Sequence, residues 1–116
     1  MNDEWYPLTE CGFSVSYMHS VNQSKVTEIF EARQGQIVLT ALEFETFGAG
    51  MPVELELGQV LTRLPGGVMR IDGFDRVIDD MRFLIGRDTK HMLHIGDLSV
   101  YLEPGQAIFS IKRRID

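Results

Sequence analysis

Cysteine is nearly missing from this chain. Cys11 is its one thiol, so no disulfide can form within the chain and none can staple the fold. A lone thiol also identifies no redox compartment. Long apolar runs are absent as well: nowhere do about 18 apolar residues follow one another, so the chain as it stands is not expected to span a membrane. Basic residues are few and scattered, and only Lys112-Arg113-Arg114 forms a run. With a formal net charge of -6 and no coherent basic face, the chain would be repelled by phosphate. This excludes nucleic acid and anionic lipid surfaces as expected partners. Leu8-Thr9-Glu10-Cys11 has the outline of a lipidation site, but the charge of Glu10 and the lack of an apolar segment before it argue against that reading.

What is present describes one globular domain. The 116 residues leave no room for a second, and an apolar share of 44% against 24% charged supports a core that needs no metal as a staple. Residues 1–11 read as an N-terminal segment and residues 12–114 as the domain.

Period-two alternation of apolar and polar residues recurs almost from end to end. Phe13, Val15 and Tyr17 alternate with Ser14, Ser16 and Met18, and Val26, Glu28 and Phe30 with Thr27, Ile29 and Glu31. The run Ile37–Leu42 is apolar on both faces, which predicts a strand covered on both sides. Turn residues punctuate these runs. Gln34-Gly35, Asp72-Gly73 and Gly96-Asp97 read as two-residue hairpin turns, and Pro104-Gly105 as a turn before a last strand through Ala107, Phe109 and Ile111. Phe47–Leu57 reads as a loop ending in an edge strand, and Asp75–Asp80 has room for one helical turn. The fold class expected is all-β: an antiparallel β-sandwich or small β-barrel of about nine short strands joined by hairpins.

Register arithmetic brings polar groups onto the core face. A four-residue loop over Val21–Ser24 pairs Ser20 with Lys25. It sets Val15 opposite Phe30, Tyr17 opposite Glu28, and His19 opposite Val26 and diagonal to Glu28. The turn at Gln34-Gly35 pairs Arg33 with Gln36, placing Ala41 beside Glu28 and Glu43 beside Val26. Tyr17, His19, Glu28 and Glu43 then gather at one end of an otherwise apolar face, within side-chain reach of one another. A carboxylate flanked by Val26 and Phe30 is costly there unless paired or hydrogen-bonded. Three readings of Glu28 stay open: a satisfied buried network, a ligand or metal site with His19 and Glu43, or a residue that faces solvent. Histidine plus carboxylates suits zinc or a similar divalent ion, the one cofactor this pattern allows.

Other motifs carry less. His91 and His94 are three apart, and on a strand such residues point to opposite faces, a poor chelate. Gly48-Ala49-Gly50 precedes no helix and so lacks the context of a phosphate loop. Asp72, Asp75, Asp79 and Asp80 do not have the spacing of a calcium loop. No nucleophile, base or carboxylate pair reaches catalytic specificity, so no catalytic residue is assigned.

Several strings together resemble a known family. These are Phe13–Val21 with its Tyr17-x-His19-Ser20-Val21, then Val26-Thr27-Glu28, and Phe44–Pro52 with its Phe47-Gly48-Ala49-Gly50-Met51-Pro52. Ile85-Gly86-Arg87, followed by His91-x-Leu93, extends the likeness over roughly residues 12–114. The chain resembles the family known as domain of unknown function eighteen-fifty. That resemblance implies a small extracytoplasmic protein with an apolar leader, encoded beside a fused TRAP-type permease and a TAXI-type solute-binding protein. It marks Tyr17, His19, Ser20, Glu28, Gly48, Gly50, Pro52, Arg87 and His91 as motif positions. The chain departs from the pattern in starting at Met1-Asn2-Asp3-Glu4 without an apolar leader, which leaves a cytoplasmic location open. The functional expectation is an accessory or binding module associated with a TRAP-type transporter. The alternatives are a metal-binding protein or metal-dependent enzyme using His19, Glu28 and Glu43, and a structural or interaction domain with a buried polar network.

Overall fold

The computed structural model describes residues 4–8, 12–19, 24–45 and 54–111. Among them it has nine strands: β1 (Gly12–His19), β2 (Ser24–Arg33), β3 (Gln36–Glu45), β4 (Val60–Leu64), β5 (Val68–Ile78), β6 (Met81–Ile85), β7 (Met92–Ile95), β8 (Leu98–Tyr101) and β9 (Gly105–Phe109). Seven form one antiparallel sheet in the order β4-β5-β3-β2-β1-β7-β8, and β6 and β9 form a separate two-stranded ribbon. The result is an open, sandwich-like all-β fold. Among the described residues no helix is long and apolar enough to cross a membrane.

The ribbon exists because one face of the large sheet is too apolar to leave in water. Val15, Phe30, Ile37 and Leu93 are buried on that face, with Met81 of the ribbon packed against them. Along β6, Met81 and Ile85 are buried while Arg82 and Leu84 point outward. Phe83 and Phe109 meet edge to face with ring centroids 5.6 Å apart. Phe13 stacks on Phe30 at 5.3 Å. Each large side chain buried this way contributes about 1.5–3 kcal/mol. Strand β3 lies inside the sheet, and the adjacent residues Ile37 and Val38, which point to opposite faces, are both buried.

Local turn chemistry holds at Gln34-Gly35, where both residues take positive φ (52° and 78°), and at Gly96-Asp97 between β7 and β8. It fails at Asp72-Gly73. The chain does not reverse there, because residues on both sides pair with β3: Ile71 with Leu42, and Arg76 with Leu39. Gly73 instead sits in an irregularity inside β5 at φ 96°, where a Cβ would stand 2.2 Å from the Gly58 carbonyl oxygen. The helical turn expected over Asp75–Asp80 is also absent, since β5 runs to Ile78 and only Asp79 and Asp80 bend toward β6. The edge strand begins at Val60, beyond the expected Phe47–Leu57 segment.

Both early registers differ from the arithmetic, with opposite consequences. The first hairpin slides by two residues, so Val15 faces Glu28, Tyr17 faces Val26 and His19 faces Ser24. An even shift leaves every side chain on its expected face. The slide lets Phe13 pair directly with Phe30, which favours packing over the assumed loop length. The second hairpin starts as expected, Arg33 opposite Gln36, but Thr40 is an extra residue between Phe30↔Leu39 and Ile29↔Ala41. Its hydroxyl donates to the Ile29 carbonyl at 3.2 Å. This bulge moves every later β3 residue by one place, so Glu28 faces Leu42 and Glu43 faces Thr27.

The two glycines provide a matched test. Gly35→Ala is expected to cost about 1 kcal/mol, the penalty of positive φ alone, since nothing lies within 4 Å of its Cβ position. Gly73→Ala is expected to cost at least about 1 kcal/mol more, because the Gly58 backbone must also give way. Urea unfolding of the two variants measures the difference.

Candidate functional site

Strands β1 and β2 and the residue just before β7 bring one polar cluster to the margin of the core. Tyr17 and Glu28 are diagonal neighbours on β1 and β2, and the Tyr17 hydroxyl donates to Glu28 Oε1 at 2.9 Å. His91 precedes β7 and lies beside Tyr17, because Ser16 pairs with Met92. Its ring stacks on Tyr17 with centroids 4.9 Å apart and planes 12° from parallel. Phe83 comes from the ribbon, edge-on to His91 at 5.5 Å and tilted against Tyr17 at 6.5 Å.

The tautomer of His91 follows from its neighbour. Thr89 Oγ1 lies 3.1 Å from the Gly86 carbonyl, which can only accept, so the single hydroxyl proton goes there. His91 Nδ1, 2.9 Å from the same oxygen, must then carry its proton and donate. Burial holds the imidazole pKa below its ordinary value. Glu28 moves the other way. Burial raises its pKa, and the hydrogen bond from Tyr17 only partly opposes that. Burial first, and the nearby carboxylate second, push the Tyr17 phenol well above its ordinary value.

A cleft of about 320 Å³ opens beside this cluster, between ribbon and sheet. Tyr17, Glu28 and Phe83 line it together with Asp80 and Arg82, while Leu39, Ile78 and Met81 supply an apolar floor.

The site differs from the one the register arithmetic assembles. Tyr17 and Glu28 do meet. Glu43 does not join them, because the bulge at Thr40 turns it to the other face, where Arg70 Nη1 binds its Oε2 at 2.6 Å and Arg70 Nε also holds Asp72. His19 stands at the exposed end of β1, two residues past Tyr17 on the same face and opposite Ser24 rather than Val26. The proposed ligand set of His19, Glu28 and Glu43 is therefore not brought together. No group of three or more metal-ligating residues occurs among the described residues. Arg87 occupies an exposed turn after β6, the turn that also carries Thr89. Ser20, Gly48, Gly50 and Pro52 lie outside the described residues.

A family model for a domain of unknown function, DUF1850, matches residues 13–102. The chain belongs to that family. No curated protein and no solved structure matches it. The DUF1850 match spans all three members of the cluster, Tyr17, Glu28 and His91.

Two features escape a reading of the sequence. His91 enters the cluster only through the pairing of β1 with β7, which no local turn announces. On the opposite face, His94 links two serines, with Nε2 2.9 Å from the buried Ser16 Oγ and Nδ1 3.0 Å from Ser99 Oγ. The period-two rule separates His94 from His91 correctly, but it says nothing of this cross-strand chain.

The two pKa shifts have opposite signs for stability. Glu28 binds its proton more tightly in the native state, so its contribution is complete below the ordinary value of 4.5 and is lost as pH rises through the raised native value. His91 contributes fully above 6.5, and that contribution is lost as pH falls through its depressed native value. Glu28→Gln is therefore expected to gain stability relative to the parent chain as pH climbs from 4.5, in urea unfolding measured across pH. Tyr17→Phe is expected to cost about 1–3 kcal/mol at neutral pH, because it removes the donor from a half-buried carboxylate. An NMR titration should place the His91 imidazole below 6.5.

Proposed function

We propose that this domain is a non-catalytic accessory module of a TRAP-type transport system. It engages the permease or its TAXI-type solute-binding protein from the extracytoplasmic side, through the surface around the Tyr17–Glu28 cleft. The supporting observation is the meeting of Tyr17, Glu28 and His91, from three separate stretches of the chain, with Tyr17 and Glu28 lining one cleft and His91 stacked on Tyr17. These are motif positions of the family that the chain belongs to, and the resemblance implies genes that neighbour such transporters. A second reading, a structural or interaction domain, rests on the same Tyr17–Glu28 hydrogen bond taken as a device that fixes the fold.

Co-purification separates the two. Cross-linked capture of the tagged domain, expressed with a TRAP-type permease and a TAXI-type solute-binding protein, is expected to retain at least one of them. Tyr17→Ala is expected to weaken that capture more than it lowers the thermal midpoint alone would explain. Reproducible absence of both proteins would overturn the accessory role. Loss of stability in Tyr17→Phe with capture unchanged would favour the structural reading.

A further inference from the structure

We propose that the cleft between ribbon and sheet is a binding site for an ammonium group, held by the Glu28 carboxylate beside the rings of Tyr17 and Phe83. The proposal rests on the binding half of the reading above and names the chemistry that the site would take.

The sign of the cleft comes from its own residues. Asp80 and Arg82 stand at its rim, and Arg82 Nε donates to Asp80 Oδ2 at 2.7 Å. That pair largely cancels itself, which leaves Glu28 as the charge that decides. An incoming carboxylate or phosphate would meet Glu28 and be repelled. A neutral ligand would leave a half-buried carboxylate uncompensated, at a cost. A cation relieves that cost, since an opposite charge nearby favours the ionised form.

The walls choose among cations. A divalent metal needs several hard donors, and Glu28 is joined by no such set among the described residues. What surrounds it is aromatic: Tyr17, Phe30 and Phe83 all line the cleft. The faces of such rings attract an organic cation, more strongly as water is excluded. Two of the rings are held in advance. Tyr17 is fixed by its hydrogen bond to Glu28 and by His91 stacked on it, and Phe83 by its edge contacts with His91 and Phe109. Little conformational freedom is then lost on binding. The volume of about 320 Å³ takes an ammonium head with a short alkyl stem, and the stem would rest on Leu39, Ile78 and Met81.

A free amine and a lysine side chain of a partner protein present the same chemistry. An NMR titration of the full chain distinguishes them, using n-butylammonium chloride, sodium butyrate, butanol and the capped tripeptide acetyl-Ala-Lys-Ala-amide. Butylammonium is expected to shift the resonances of Tyr17, Glu28 and Phe83, and to show upfield ring-current shifts on its own methylenes. Butyrate and butanol at equal concentration should leave those resonances in place. Glu28→Gln is expected to weaken butylammonium binding by at least about tenfold, and Phe83→Leu several-fold. Tighter binding of the tripeptide than of butylammonium supports the site with a partner lysine as its source, and the reverse order supports it with a small amine. Butanol binding as well as butylammonium overturns the proposal, as does affinity unchanged in Glu28→Gln. The comparison of ligands on the parent chain needs no variant to fold. A parent chain indifferent to butylammonium also overturns it, while capture of the transport proteins still stands or falls separately.

Discussion

The packing of the β6–β9 ribbon onto the large sheet is the contact on which the rest depends. Val15, Phe30, Ile37 and Leu93 line one face of the sheet and have nothing within that sheet to cover them. A two-stranded ribbon is marginal by itself in water, so sheet and ribbon each need the other. The connections enforce the arrangement. The chain leaves β5 for β6, returns to the sheet at β7 beside β1, and crosses again from β8 to β9. The same contact that closes the core also ends somewhere. At its margin, near Asp80 and Phe83, the apolar packing gives out and the Tyr17–Glu28 pair is left half-covered.

That half-covered position explains the chemistry of the cluster. Full burial would make the Glu28 carboxylate prohibitive, and full exposure would leave its pKa and that of Tyr17 undisturbed. Partial burial raises both, and the deeper burial of His91 depresses its imidazole, while the Tyr17 hydroxyl serves Glu28 and Thr89 serves His91 Nδ1. The second polar group on the sheet, Arg70 with Glu43 and Asp72, is more exposed and sits on the other face. One residue separates these two outcomes. Without the extra place taken by Thr40, Glu43 would share the face of Glu28 and bring a second carboxylate toward it.

Much of the fold was legible in the residue pattern. The all-β class, the strand count and the turns at Gln34-Gly35 and Gly96-Asp97 follow from local alternation and from positive φ at turn positions. Tyr17 and Glu28 keep to one face and still meet, as diagonal neighbours rather than opposite each other, because the slide of the first hairpin is even. The departures from the local pattern share one cause. Asp72-Gly73 has the composition of a hairpin turn, yet its positive φ serves a bulge where the backbone at Gly58 passes close by. The bulge at Thr40 and the slide of the first hairpin likewise depend on what lies across the strand, not along it. His91 is a motif position of the resemblance, but its place beside Tyr17 needs two strands from opposite ends of the chain to pair.

The sequence alone determined which residues alternate, where the backbone can turn, and that a tyrosine and a glutamate would share one face of a β-sheet. Those properties are set by the steric preferences of each residue and its immediate neighbours. Only the tertiary structure decided which third residue joined them, which carboxylate was turned away, and where the core stopped short to leave a cleft. Those outcomes depend on non-local pairing and on the ribbon's footprint, and they are selected by the burial of apolar surface summed over the whole molecule.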